Sequence, residues 1–307
     1  MSNIIVITGP TATGKTAIGI ELAKRVDGEI VSADSMQVYK HMDIGTAKPT
    51  TREMDNIPHH MIDFISPDDD YSVARYVNDA SKCVDDILQR GKIPILVGGS
   101  GQYVDSLVAG RTFSSRGDSK LRGELDEEFD RIGGELMLAK LREFDPDAAK
   151  RLHSNDKKRI IRAIETFKTT GKTISQHDQE TKMIPPRYNA IKFALTFADR
   201  ADLYARIDQR VDEMMSQGLL EEVHSLIDMG ITQQSTSMQA IGYKEVSNAI
   251  SHNLDISEAV EQVKMESRRY AKRQLTWLRR DTNINWITWD RIPNIDAGVE
   301  EILNAII

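Results

Sequence analysis

One segment, Gly9-Pro10-Thr11-Ala12-Thr13-Gly14-Lys15-Thr16, limits the possible folds of this chain more than any other. It fits G-x-x-x-x-G-K-[ST], with the apolar run Ile4-Ile5-Val6-Ile7 before it and a helical pattern over residues 15–26 after it. Strand, glycine-rich loop and helix in that order let successive backbone N–H groups face an anion, and the helix N-terminus adds its positive end. Lys15 brings a mobile positive charge, and the Thr16 hydroxyl can serve Mg²⁺. Residues Gly9 through Thr16 are therefore expected to bind a diphosphate or triphosphate. A second fragment, Gly171-Lys172-Thr173, is a decoy: Thr166 stands where the first glycine would, and no strand precedes it.

Strand-like runs at 29–33 and 94–97 alternate with a helical pattern at 73–90, which favours a parallel sheet with crossover helices. The character changes near Thr112. From about Ser114 to Pro186 the sequence is polar and helical, and strand patterns return at 190–197 and 286–289. Helices are expected at 202–217 and 256–280, the latter capped by Asp255 with Glu258 as its reciprocal partner. At roughly 100–200 residues per domain, 307 residues fit one core with an insertion. The expected fold is α/β: a P-loop NTPase-like parallel-sheet core at 1–113 and 188–307, interrupted by an all-helical domain at 114–187.

With 40 basic and 47 acidic residues the net charge is −7, which at first argues against a nucleic-acid partner. Position matters more than the sum. Lys150, Arg151, Lys157, Lys158, Arg159, Arg162, Lys168 and Lys172 form one basic run, and Lys264, Arg268, Arg269, Lys272, Arg273, Arg279 and Arg280 a second. Either run can be a solvated helix face or a polyanion surface. A single cysteine, Cys83, excludes an internal disulfide and a multi-thiolate metal site. Adjacent His59 and His60 do not converge on one ion. No leader precedes the first strand and no apolar stretch is long enough to span a membrane, so the expected location is the cytoplasm.

Asp34 closes the strand pattern at 29–33 and so is expected at the strand's C-terminal end, facing the ligand crevice of an α/β sheet. It can hold Mg²⁺, accept a proton from an acceptor, or merely cap a turn. A small-molecule kinase and a transferase gripping another pyrophosphate compound both need this set, and the phosphate loop alone does not choose between them.

The whole chain resembles the bacterial tRNA dimethylallyltransferases, through GPTATGKT (9–16), SADSMQVYKHMDIGTAKP (32–49), IPHHMIDFISP (57–67), ILVGGSGQY (95–103), NDKKRIIRAIE (155–165), QAIGYKE (239–245) and AKRQLTWLRR (271–280). The resemblance implies transfer of the dimethylallyl group from dimethylallyl diphosphate to the exocyclic N6 amine of the adenosine immediately 3′ of the anticodon. The tRNAs are those reading codons that begin with U, and pyrophosphate leaves. It implies that Gly9, Pro10, Thr11, Ala12, Thr13, Gly14, Lys15 and Thr16 hold the isoprenoid diphosphate rather than ATP, with Mg²⁺ at Thr16. Asp34 matches the catalytic aspartate, and Arg210 matches an arginine directed at the diphosphate, unless an ion pair with Asp208, Asp212 or Glu213 occupies it. Ser100 stands where the family usually has threonine and keeps the hydroxyl near the reacting centre. Asp34, Ser35, Met36 and Gln37, then Arg122, then Lys158, Arg159, Ile160, Ile161 and Arg162, then Gln239, Ala240, Ile241, Gly242, Tyr243 and Lys244 match tRNA-contacting positions. The implied partners are the anticodon stem-loop of tRNA and dimethylallyl diphosphate, with no membrane and the chain acting as a monomer.

Overall fold

The computed structural model describes residues 3–111, 113 and 118–306. Thr112 and Ser114, where the sequence places the start of the insertion, lie outside the described residues, as do Met1 and Ser2. The chain divides into two compact units, Met1–Gly110 with Arg187–Ile307, and Arg111–Pro186.

The first unit is built on a six-stranded sheet: β1 (Asn3–Thr8), β2 (Gly28–Ser32), β3 (His59–His60), β4 (Ile93–Val97), β5 (Asn189–Phe197) and β6 (Ile284–Trp289), in the order β3-β2-β4-β1-β5-β6. Every pairing is parallel. The two central strands are β4 and β1, and in β1 Ile4, Ile5, Val6 and Ile7 are all buried. A continuous apolar run of this kind suits a strand covered on both faces. Helices Lys15–Val26 and Ile295–Ile306 supply Ile18, Leu22, Val299 and Ile302 to the same core.

Local signals explain most helix ends. Ser72 accepts from Arg75 N at 3.3 Å and starts helix Val73–Gln89, which buries Tyr76, Val77, Ala80, Val84 and Ile87. Asp255 caps helix Ile256–Leu278 through Ser257 N at 2.8 Å, and no reciprocal bond comes from Glu258. Asp255 thus satisfies the nearer N–H, which corrects the expected box. The sequence pattern also missed β3. It is two residues long, pairing Ile30 with His59 and Val31 with His60, and carries no apolar alternation. Both histidines are held within the protein: His59 Nδ1 meets Ile57 O and His60 Nε2 meets Glu29 Oε2, each at 2.8 Å.

The C-terminal ends of β1, β2 and β4 are stitched together. Ala33 N–H donates to Val97 O at 2.8 Å, Gly98 N–H to Ile7 O at 3.1 Å, and Ser100 N–H to Ala33 O at 3.2 Å. A Cβ on Gly98 would stand 2.2 Å from Ala33 O, so only glycine fits between those strand ends. This edge is where open α/β sheets bind ligands.

The second unit contains helices Ser119–Ile132, Gly134–Phe144, Pro146–Arg151, Lys157–Thr170 and Ile174–Met183, with no strand among its described residues. Leu125, Met137, Leu141, Ile160, Ile161 and Ile164 form its core. Gly171, left-handed at φ 71°, stops one helix, and Thr173 starts the next in a reciprocal cap with Gln176. The Gly171-Lys172-Thr173 fragment is therefore a helix stop and start. No described helix is long and apolar enough to cross a membrane.

Candidate active site

The loop after β1 curls through Gly9, Ala12 and Gly14 with φ of 144°, 65° and 88°. Its shape is fixed from inside and outside. Thr13 Oγ1 donates to Pro10 O at 2.8 Å. Trp289 Nε1 donates to Thr13 O at 3.0 Å, and Arg206 Nε to Ala12 O at 3.2 Å. Helix Lys15–Val26 then begins with no side-chain cap and no acidic residue in its first turn. Its leading N–H groups and its positive end are left to an anion.

Lys15 folds back so that Nζ donates to Pro10 O at 2.7 Å. Its pKa falls to about 7, first because its ammonium is desolvated, then because the Arg210 guanidinium lies near; the Asp34 carboxylate opposes both. Arg210 is lowered as well, chiefly by burial, again against Asp34. Lys15, Arg210 and Asp34 thus share one electrostatic environment. Two of the three acids that could pair with Arg210 are taken by other cations, Asp208 by Arg268 and Asp212 by Lys264 at 2.8 Å. The third, Glu213, accepts from Gln209 Nε2 at 2.8 Å and acts on Arg210 only through its charge. Arg210 makes no ion pair among the described residues, although the charges of Asp34, Glu213 and Glu53 act on it, so its guanidinium keeps donors for a further anion.

Asp34 sits just past β2, half-buried. Its Oδ1 accepts from Met36 N at 2.9 Å and from Gln37 N at 3.4 Å, which sets the turn and leaves Oδ2 without a hydrogen bond to a described residue. Ser100 Oγ accepts from Ser35 N at 3.1 Å, tying the turn after β4 to the one after β2. The amide of Gln37 is committed: Ser32 Oγ donates to its Oε1, and its Nε2 donates to Thr46 O and Ala47 O, all at 3.2 Å. Tyr270 neighbours Ser100 and Gln274. Burial and the Asp34 charge push its phenol up to about 12, so it stays protonated at neutral pH.

The structure sorts the remaining expected residues. In the second unit Lys158 and Arg159 are exposed, whereas Ile160 and Ile161 are 0% and 4% exposed and turn into the core. Those two isoleucine side chains offer no surface to a ligand, because the helix buries its apolar stripe. Arg122 and Arg162 both hold the fully buried Glu165 carboxylate, at 3.0 Å each. In the first unit Gln239 and Lys244 are exposed, Ile241 is half-buried, and Ala240, Gly242 and Tyr243 are buried. Gln274 and Trp289, which fasten the phosphate loop, carry no sequence signal for that role.

No group of three or more His, Cys, Asp or Glu residues among the described residues could hold a metal ion. Mg²⁺ beside a diphosphate does not need one, since it keeps several waters and takes substrate oxygens with one or two protein ligands. Thr16 is half-buried in the first turn of its helix and its hydroxyl makes no hydrogen bond to a described residue, so the donor set fits.

A family model described as IPP transferase matches residues 37–281. The phosphate loop and Asp34 precede that span. The chain is 48% identical over 303 residues to a tRNA dimethylallyltransferase of Acetivibrio thermocellus, covering 98% of this chain and 96% of that one. It is likewise 48% identical over 305 residues to one of Oceanobacillus iheyensis, covering 99% and 96%. Its fold is similar to that of the full-length tRNA isopentenylpyrophosphate transferase from Bacillus halodurans, with a TM-score of 0.75, 41% identity and coverage of 100% and 96%. It is also similar to a eukaryotic dimethylallyltransferase acting on tRNA, with a TM-score of 0.83, 28% identity and coverage of 100% of this chain and 78% of that one.

Proposed function

The chain belongs to the IPP transferase family and is a prenyltransferase that modifies tRNA, and we propose that it transfers dimethylallyl from its diphosphate to the N6 amine of the adenosine immediately 3′ of the anticodon, in tRNAs reading codons that begin with U. The observation that carries this reading is that the charges of Lys15, Arg210 and Asp34 act on one another beside the phosphate loop, while among the described residues Arg210 has no ion pair and Asp34 Oδ2 no hydrogen bond. Two cations suit a diphosphate, and one carboxylate suits an amine.

The amine nitrogen bonds to C1 of the dimethylallyl group while the C1–oxygen bond breaks. The electron pair of that bond leaves with pyrophosphate, and the amine proton goes to Asp34. Negative charge grows on the departing oxygens, where the loop N–H groups, Lys15 and Arg210 are preorganised to meet it. Mg²⁺, held by Thr16 and the diphosphate, would supply further charge stabilisation to the leaving group. An adenine amine is a weak nucleophile, so its placement by Asp34, Ser35, Met36 and Gln37 counts as much as basicity. Ser100 acts through Ser35. Exposed Lys158 and Arg159 in the second unit and exposed Gln239 and Lys244 in the first offer contacts to the RNA backbone and loop bases, and the target base leaves its stack to reach Asp34.

The test is incubation with labelled dimethylallyl diphosphate and unmodified tRNA under Mg²⁺. One tRNA should read a codon beginning with U and one should not. Label is expected in the first alone; label in neither, or ATP consumption stimulated by a small acceptor, defeats the reading.

A further inference from the structure

The loop 43–47 is organised around a carboxylate that arrives from far along the chain. Glu222, in the first turn of helix Leu219–Asp228, accepts from the backbone N–H groups of Asp43 (2.9 Å), Ile44 (2.9 Å) and Gly45 (3.1 Å). Three successive N–H groups around one anion form a backbone nest, here filled by the protein itself. A carboxylate at a helix N-terminus is also favoured by the helix dipole.

The same carboxylate accepts from Tyr243 Oη. Tyr243 is fully buried, and its ring lies so close to Gly45 that a Cβ there would stand 2.4 Å from it. Tyr243 belongs to the stretch Gln239–Lys244. On the other side of the loop, the carbonyls of Thr46 and Ala47 accept from Gln37 Nε2. Gln37 N–H in turn donates to Asp34 Oδ1. Glu222 therefore stands where two segments meet: the Asp34–Gln37 turn, reached through the loop, and the Gln239–Lys244 stretch, reached through Tyr243. Among the described residues, no hydrogen bond joins Glu222, Tyr243 or Gln37 to the phosphate loop.

We propose that Glu222 is a positioning residue for the acceptor side of the site, holding the Asp34–Gln37 turn and the Gln239–Lys244 stretch in one register so that the RNA meets both at once. The proposal rests on the assignment of those two segments to the RNA. It concerns recognition and alignment, because the Glu222 carboxylate is committed to three backbone N–H groups and the Tyr243 hydroxyl. Removing it leaves three N–H groups without an acceptor and frees the loop, and small misplacements of reacting groups are costly.

The experiment is steady-state kinetics with an anticodon stem-loop RNA on Glu222→Ala, Glu222→Gln, Tyr243→Phe and Gln37→Ala, alongside direct binding of dimethylallyl diphosphate and thermal melting. Glu222→Ala is expected to raise KM for RNA about 10- to 100-fold with diphosphate affinity unchanged. Glu222→Gln keeps one acceptor oxygen and should recover part of the loss. Tyr243→Phe, which removes one hydroxyl and keeps the ring, gives a smaller rise in the same KM even if Glu222→Ala folds poorly. A purely structural role would lower the melting temperature and weaken both substrates together, which overturns the proposal. If Gln37→Ala raises KM for RNA while the Glu222 and Tyr243 variants do not, Glu222 loses its role and the acceptor assignment stands. If all four leave it unchanged, the acceptor assignment falls as well.

Discussion

The backbone N–H of Thr11 donates to Oε1 of Gln274 at 3.1 Å, and the same side chain donates through Nε2 to Gly99 O at 2.9 Å. One glutamine thus joins the phosphate loop to the turn that carries Ser100. One of the loop's N–H groups is committed to the protein, which leaves the remaining donors, Lys15 and Arg210 for the proposed diphosphate. In the proposed reaction the leaving-group side and the acceptor side share this buried bracket.

Gln274→Glu keeps the shape and the acceptor facing Thr11 but cannot donate to Gly99 O, and it places a carboxylate where the side chain is only 7% exposed. An unsatisfied or repelled buried polar group costs about 1–3 kcal/mol. Denaturant unfolding should show a loss of that size, and diphosphate affinity should fall with it. Wild-type stability and affinity in this variant would show that the bracket is not needed.

Lys15 provides a pH signature. Its pKa is about 7 in the folded protein against an ordinary 10.5. Between those values the unfolded chain holds a proton that the folded one has released, so this group makes stability rise with pH across the window. Diphosphate binding favours the charged form and must restore that proton. Affinity for an unreactive dimethylallyl diphosphate analogue should therefore weaken above pH 7, by up to about tenfold per pH unit. Calorimetry in buffers of different ionisation enthalpy would register the proton uptake. Lys15→Met should bind weakly and without the slope, and an equal slope in that variant would assign it to another group.

Asp34→Asn separates two roles of one side chain. The amide oxygen can still accept from Met36 N and Gln37 N, so the turn persists, but the amide cannot take the amine proton. Loss of a general base costs roughly 10²–10⁴ in rate. The expected result is that fall in kcat with RNA affinity nearly unchanged. If kcat stays high, Asp34 is a turn residue only.

Much of this site was legible because it is local. Gly9 to Thr16 act within one strand–loop–helix unit, and Asp34 follows directly from the end of β2, so pattern and position suffice. What stayed hidden depends on contacts across the fold. Gln274 reaches Thr11, Trp289 reaches Thr13, and Glu222 reaches Asp43, each from a distant helix or strand, and even the AKRQLTWLRR segment that holds Gln274 does not disclose its partner. Strand β3 is too short to show a period. Ile160 and Ile161 were hidden differently, as apolar residues inside a basic run that read as surface until the helix turned them inward.

The basic run at 157–162 resolves into two kinds of cation. Lys157 is held by Asp126 and Asp130, and Arg122 and Arg162 clamp Glu165. Lys158 makes no ion pair among the described residues, and Arg159 meets only Asp156 at 4.0 Å. Phosphate contacts release counterions, so each one lost should flatten the dependence of log affinity on log salt by about 0.7–0.9. Lys158→Ala with Arg159→Ala should weaken tRNA binding and flatten that slope while leaving the melting temperature in place. Arg122→Ala should do the reverse, because it strips one partner from a buried carboxylate, at a cost of about 1–3 kcal/mol. Filter binding across a salt series, paired with melting curves, separates the two classes. An unaltered slope in the double variant would remove this helix from the RNA surface.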